Sequence, residues 1–142
     1  MTSKVSVSWT GGMQFDAELN GHRIVMDATA DHGGNNKGTT PKPLLLASLA
    51  GCTGMDVASL LVKMRVEDYR LQIDVEGEQT DEFPIVYHTI HLHYRFAGIN
   101  LPIHHLLRAV ELSQTRYCGV YAMLSKSSKI MTRIFVNGKE IA

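Results

Sequence analysis

Short runs of alternating polar and apolar residues open the chain and predict a small antiparallel sheet. Residues 5–9, 14–19 and 22–28 alternate with the period of a strand. Between the second and third runs stands Asn20-Gly21, and Asn-Gly is favoured in tight hairpin turns because both turn residues need a positive φ. We therefore predict three strands, followed over residues 31–41 by a mobile loop rich in glycine, asparagine and threonine.

A long apolar segment follows that loop and predicts a buried helix. Thr40 is a suitable N-cap, and Pro41 and Pro43 are tolerated only in a first helical turn. Residues 44–62 contain one charged side chain, Asp56, and apolar residues point in most directions around the axis. Such a helix belongs at the centre of a fold. A membrane span of about 20 residues is the competing interpretation, and the polar residues within the segment oppose it.

The second half of the chain alternates strand and helix patterns. Residues 90, 92, 94 and 96 place apolar side chains on one face of a strand, while the residues between them are polar. The predicted elements are strands at 69–78, 86–96 and 129–136, and helices at 102–112 and 118–125. These patterns predict a single α+β domain covering residues 1–142.

Composition narrows the class of protein. The 142 residues include 14 Lys and Arg against 14 Asp and Glu, and 44% are hydrophobic. A chain with no basic excess is a poor partner for nucleic acid, and this hydrophobic fraction suits a packed core. The first residues lack the apolar run of a secretory signal, so we predict a soluble, cytoplasmic protein with no membrane partner.

The candidate chemistry rests on the only two cysteines, Cys52 in the long helix and Cys118 at the start of a later one. A helix N-terminus lowers a thiol pKa and apolar burial raises it, so this local comparison makes Cys118 the more acidic thiol. In a reducing compartment two such cysteines are free, metal-bound or catalytic, or they are small buried hydrophobes. Composition does not choose among these.

Residues 40–57, TPKPLLLASLAGCTGMDV, and residues 113–130, SQTRYCGVYAMLSKSSKI, resemble the two cysteine motifs of the OsmC/Ohr family (osmotically induced protein C and organic hydroperoxide resistance protein). The opening Thr10-Gly11-Gly12 and the glycine-rich loop are similar as well. The resemblance covers nearly the whole chain. It implies an OsmC-like fold, in which antiparallel sheets wrap two long central helices of an intertwined homodimer.

The resemblance also implies a reaction and its participants. Cys52 would be the peroxidatic cysteine, whose thiolate attacks the O–O bond of a small organic hydroperoxide in an oxidative stress response. Cys118 would resolve the resulting sulfenic acid as a disulfide. An external dithiol reductant, such as a dihydrolipoyl protein or thioredoxin, would restore both thiols, so neither a bound cofactor nor a metal is expected.

Two positions depart from the family pattern. The arginine that follows the TGG motif in hydroperoxide resistance proteins is Met13 here, and the glutamate expected nine residues before Cys52 is Pro43. A buried thiolate without its counter-charge favours the neutral thiol. The alternative function is therefore a non-enzymatic member of the fold, which binds a small apolar or electrophilic ligand at the dimer interface or acts as a passive redox sensor.

A compensating cation has four candidates: Arg23, Lys42, His22 and Arg116. Arg23 ranks first, because it begins a strand that runs toward the glycine-rich loop; its alternative role is that of a solvated strand residue. Asp56 lies one helical turn after Cys52 on the same face, so it could orient such a cation. Equally, it could cap a loop of the partner subunit.

Two other patterns are weaker. His91 and His93 point the same way from one strand and could chelate a metal, but without a carboxylate or cysteine at ligand spacing they are interpreted as surface residues. The loop GGNNKGTT lacks the Gly-Lys-Ser/Thr order of a phosphate-binding loop.

Overall fold

Three antiparallel strands form the first part of the chain, in the order β1 (Ser6–Gly11), β2 (Gln14–Leu19) and β3 (His22–Met26). The predicted hairpin turn is confirmed, with φ of 50° at Asn20 and 78° at Gly21. The computed structural model describes all 142 residues and separates into two compact units, residues 1–45 and 46–142. The three-stranded sheet belongs to the first unit.

The loop after β3 is organised by one buried carboxylate. Asp27 accepts hydrogen bonds from the backbone N–H groups of Lys37, Ala28 and Asn35. The N–H of Lys37, followed by those of Ala28 and Asn35, lowers the pKa of Asp27 despite its burial. The composition predicts a mobile loop here, and the structure shows that Asp27 binds backbone N–H groups at both ends of the segment between Ala28 and Lys37.

The second unit contains the long helix from Leu46 onward and a four-stranded sheet. The sheet order is β4-β5-β6-β7. Its β5 and β6 pair in parallel, unlike the antiparallel pairs on either side, because two helices form the crossover between them. The elements are α1 (Pro43–Lys63), β4 (Tyr69–Gln79), β5 (Tyr87–Gly98), α2 (Ile103–Leu112), α3 (Gly119–Leu124), β6 (Lys129–Val136) and β7 (Lys139–Glu140).

The core of this unit lies between one face of α1, the apolar face of β5 and helix α2. Buried positions on α1 recur at helical spacing, and those on β5 alternate as the sequence predicts. The fully or nearly fully buried residues are Leu49, Val57 and Leu61 of α1, Ile90, Leu92, Tyr94 and Phe96 of β5, and Leu106, Ala109 and Val110 of α2.

The opposite face of α1 is apolar and exposed. Met55 and Val62 retain 76% and 73% of their accessible surface, and the small residues Gly51 and Ala58 on the same side are also exposed. The helix is long and apolar enough to cross a membrane by length and composition alone, a property that core helices share. Complete burial of α1, expected from its sequence, is therefore not achieved within one chain.

Candidate functional site

The two cysteines and Asp56 converge although they are distant in the sequence. Cys52 and Asp56 lie one turn apart on α1, where both are half-buried, and Cys118 immediately precedes α3. The two sulfur atoms and a carboxylate oxygen of Asp56 all lie within 4.8 Å of one another. Both cysteines are free thiols. The structure thus brings together three of the site residues that the sequence predicts.

Cys118 reaches this position through a π-helical turn, Ser113–Tyr117, which continues directly from α2. The turn closes with a hydrogen bond from the backbone N–H of Cys118 to the carbonyl of Ser113, at 2.8 Å. Cys118 then adopts an extended conformation and caps α3, and its sulfur accepts the N–H of Tyr121 at 3.3 Å. The sequence pattern did not predict this turn, and π-turns of this kind are frequent at functional sites.

Burial determines the state of the Cys118 thiol. Only 3% of the residue is exposed, and this burial, followed by the neighbouring sulfur of Cys52, raises the pKa of Cys118 to about 11. The Tyr121 N–H lowers the pKa, as a helix N-terminus should, but by less. The comparison of the two local environments in the sequence, which predicted Cys118 to be the more acidic thiol, did not include this burial. Cys118 is therefore a neutral thiol at physiological pH.

A chain of buried hydrogen bonds ends at Asp56. The Ser113 hydroxyl donates to Oδ2 of Asp56 at 3.0 Å, and the Thr53 hydroxyl lies 2.7 Å from both the Ser113 and the Tyr94 oxygens. Each hydroxyl has one hydrogen, so Ser113 must accept from Thr53, and Thr53 must accept from Tyr94. Tyr94 in turn accepts from the Gln114 amide at 3.1 Å. All donors in the chain point toward Asp56.

Sequence reasoning missed the members of this chain. Thr53 and Ser113 are fully buried, and the Gln114 amide also donates to the Thr132 hydroxyl of β6 at 2.8 Å. The available signal was the presence of polar side chains at positions that packing would fill with apolar ones. The sequence pattern places Tyr94 on the apolar face of its strand with Ile90, Leu92 and Phe96, and of these four side chains only Tyr94 has a polar atom. Buried polar groups with partners of this kind hold their neighbours in one geometry.

The raised pKa values of two buried side chains, Tyr94 and Cys118, predict that the folded protein loses stability at alkaline pH. Burial raises the pKa of Tyr94 to about 12 and that of Cys118 to about 11, above their ordinary values of 10.0 and 9.0. The unfolded chain therefore ionises first, and the stabilisation present below pH 9 is lost as the pH rises to about 12. Urea unfolding from pH 8 to pH 11 should show this decline. A Tyr94→Phe and Cys118→Ala double variant should have a flatter profile, and an unchanged slope would contradict the assignment.

The candidate cations are placed as follows. Arg23 on β3 forms an ion pair with Asp16 of β2, and its side chain is 62% exposed, which matches the solvated alternative. Lys42 is half-buried just before α1, and His22 is exposed at the start of β3. Arg116 is exposed in the π-turn, with its guanidinium 5.4 Å from the centre of the Tyr117 ring. A role for Arg23 or Lys42 as thiolate support stays a prediction.

One further cation lies beside the site. Lys63, two turns after Asp56 on α1, lines with it a depression of about 100 Å³ that Tyr117 also borders. The hydrogen bonds and ion pairs within residues 46–142 bring no Lys, Arg or His side chain onto Asp56 or either sulfur. Lys63 is therefore a positive group of this unit that lines the same depression as Asp56.

The two histidines that share a face of β5, His91 and His93, are half-buried and contact neighbouring side chains. Nε2 of His91 lies 2.5 Å from Oε1 of Glu78 on the neighbouring strand, and the His93 ring packs edge-on against Phe135. The two imidazole rings are 6.4 Å apart.

Comparison with known proteins identifies the family. The family model described as OsmC-like protein matches residues 34–133. Protein YhfA of Escherichia coli strain K12 is 33% identical over 125 residues, which cover 87% of this chain and 90% of YhfA.

Solved structures agree with this assignment. A hypothetical protein of Aquifex aeolicus is 28% identical, with a TM-score of 0.85 over 96% of this chain and 97% of that one. An organic hydroperoxide resistance protein OsmC of Legionella pneumophila is 14% identical, with a TM-score of 0.68 over 96% and 98%, and shows the fold alone. The chain belongs to the OsmC-like protein family.

Proposed function

We propose that the protein is a thiol-dependent peroxidase that reduces small organic hydroperoxides through Cys52 and Cys118. The observation that carries the proposal is the convergence of two free thiols, from distant segments, to within 4.8 Å. A small closure from this separation forms a disulfide, whose sulfurs lie about 2.05 Å apart. The fold is shared with proteins whose names include organic hydroperoxide resistance, which supports the choice of substrate class.

The two cysteines divide the reaction according to their exposure. The half-exposed Cys52 attacks the outer oxygen of the hydroperoxide as a thiolate, which becomes a sulfenic acid while the O–O bond breaks and an alcohol leaves with a proton. The buried Cys118 then attacks that sulfenic sulfur, and water leaves as the disulfide forms. A dithiol such as a dihydrolipoyl protein or thioredoxin reduces the disulfide by exchange.

The Cys52 thiolate needs a positive partner, because a partly buried anion beside the Asp56 carboxylate is unfavourable without one. Arg23, Lys42, Lys63 or a residue of a partner subunit supplies it in this proposal. The exposed apolar face of α1 supports such a subunit. Its small residues Gly51 and Ala58 permit close approach, and with β4 this face borders an apolar groove of about 490 Å³. We propose an intertwined homodimer in which two copies of α1 cover each other.

Stopped-flow reaction with cumene hydroperoxide tests the activity. The reduced protein, kept in a chelator, should consume the peroxide at least about a hundredfold faster than N-acetylcysteine at the same pH, the lower end of what a positioned catalytic group contributes. Peptide mapping of the quenched protein should then find a Cys52–Cys118 disulfide. A rate equal to that of the free thiol would refute the enzyme.

A ligand-binding protein is the second candidate, and the same groove favours it. The groove is lined by Ala50, Gly54 and Met55 of α1 and by Leu71 and Ile73 of β4, which are apolar and partly exposed. Pockets for apolar ligands have this composition. In that case the purified protein would bind an apolar fluorescent probe in the groove, and its cysteines would react with peroxide no faster than free thiols.

A further inference from the structure

The carboxylate beside the two thiols takes part in no bond-making step of the peroxide reduction proposed above, and its predicted role in orienting a supporting cation stays a prediction. Asp56 adds negative charge where a thiolate must form, and its proximity contributes to the raised pKa of Cys118. Yet a chain of three buried hydroxyls, those of Tyr94, Thr53 and Ser113, holds it there, with the half-buried Gln114 amide donating to Tyr94. An arrangement that fixes three potential anions within 4.8 Å of one another is suited to a cation.

The spacing of these groups is close to that of zinc ligands. Tetrahedral Zn²⁺ binds sulfur at about 2.3 Å and carboxylate oxygen at about 2.0–2.2 Å, so its ligand atoms lie roughly 3.5–3.8 Å apart. The separations here are at most about an ångström wider, which side-chain rotation can close. Two thiolates select a soft or borderline ion such as Zn²⁺ over Mg²⁺ or Ca²⁺.

The surroundings supply the outer contacts that metal ligands commonly have. The Ser113 hydroxyl donates to the Asp56 carboxylate, and the Tyr121 N–H donates to the Cys118 sulfur. Such contacts orient ligands and are themselves important for affinity. The Thr53 hydroxyl, which is hydrogen-bonded to Tyr94, donates to the Ser113 hydroxyl and fixes its position, and Ser113 in turn orients the Asp56 carboxylate.

We propose that Cys52, Asp56 and Cys118 form a Zn²⁺ site with a fourth position open to water or to a ligand from another molecule. Binding of the ion replaces the two thiol protons, which are released to solvent, and supplies the missing positive charge. The ion and the Cys52–Cys118 disulfide are mutually exclusive, because each requires both sulfurs. The site does not depend on peroxidase activity.

Titration with Co²⁺ tests the site, because this ion reports thiolate ligation by absorption. The desalted, reduced protein should develop sulfur-to-metal charge-transfer bands and the visible bands of tetrahedral Co²⁺, saturating at one ion per chain. Zn²⁺ should abolish the bands and release the cobalt. A protein that shows no charge-transfer band, or only the weak spectrum of octahedral Co²⁺, would overturn the proposal.

Variants separate the ligands from their supports. Asp56→Asn should weaken Zn²⁺ binding by at least about tenfold in competition with a chromophoric chelator, and Ser113→Ala by about tenfold. Asp81→Asn, which alters an exposed carboxylate in the β4–β5 connection, should bind like the wild type. If Asp56→Asn bound Zn²⁺ with the affinity of the wild type, the Asp56 carboxylate would not be a ligand of the ion.

An oxidised control avoids any effect of substitution on folding. Wild-type protein treated with diamide, which converts the two thiols to a disulfide, should lose the cobalt spectrum, and reduction should restore it. Retention of the spectrum after complete oxidation would show that the ion binds elsewhere. The peroxide assay is run with a chelator and therefore without bound metal. A protein that fails to reduce peroxide can still bind Zn²⁺, and one that fails to bind Zn²⁺ can still reduce peroxide.

Discussion

Cys52→Ser is expected to remove the rapid reaction with cumene hydroperoxide, lowering its rate by on the order of a thousandfold or more, as loss of a nucleophile does in other enzymes. Cys118→Ser should retain the first step and then stop at the sulfenic acid. The difference follows from exposure, because Cys52 is half-buried whereas Cys118 is 3% exposed and its thiol is held neutral by a pKa of about 11.

The measurement that separates the two variants is trapping with dimedone, which labels sulfenic acids. Cys118→Ser should give one labelled site at Cys52 after a single equivalent of peroxide, while the wild type gives disulfide and little label. Circular dichroism confirms that both variants fold. Full peroxide reactivity in Cys52→Ser would contradict the assigned order of the two cysteines, although it would leave the fold unaffected.

The second large effect is expected from Thr53→Val, which removes one buried hydroxyl and keeps the side-chain shape. Thr53 is the middle link of the chain from Tyr94 to Asp56, so its loss leaves the Tyr94 hydroxyl without an acceptor and Ser113 without a donor. Leaving buried polar groups unpaired costs about 1–3 kcal/mol of unfolding free energy. We expect a decrease in this range by urea denaturation.

Thr115→Val is the matched control for this substitution. Thr115 lies in the π-turn and is exposed, and its hydroxyl donates to the carbonyl of Glu111. Its replacement should change the unfolding free energy by less than about 0.5 kcal/mol. Equal losses in both variants would mean that the buried chain is no more important to the fold than a surface hydroxyl.

Local sequence patterns predicted most of the secondary structure. They succeeded where the residues of a single segment are enough to determine whether it forms a helix or a strand. The strands β2 (Gln14–Leu19) and β6 (Lys129–Val136) occur at the predicted boundaries. Helix α1 begins at Pro43 and not directly after Thr40 as predicted, and it ends one residue later than predicted. The pairing of β5 with β6 in parallel was not predicted, since strand direction depends on the path of the chain between them.

The site shows the same limit. The family resemblance named Cys52 and Cys118 and the helix period placed Asp56 beside Cys52, but the burial of Cys118 depends on packing against α1 and β5 and has no local signal. The burial of α1 could not be predicted from its own sequence either. Its apolar composition indicated burial, but one chain buries only the side of α1 that carries Leu49, Val57 and Leu61.

The π-turn makes the number of residues ahead of Cys118 a constraint separate from their identity. Successive residues of a helix are rotated by about 100°, so deleting one residue between Ser113 and Tyr117 would restore regular α-helix and turn the thiol away from Cys52. Substitutions in this stretch can be absorbed at its exposed positions, Thr115 and Arg116. Relatives that keep the paired thiols should therefore vary here in composition while insertions and deletions are absent.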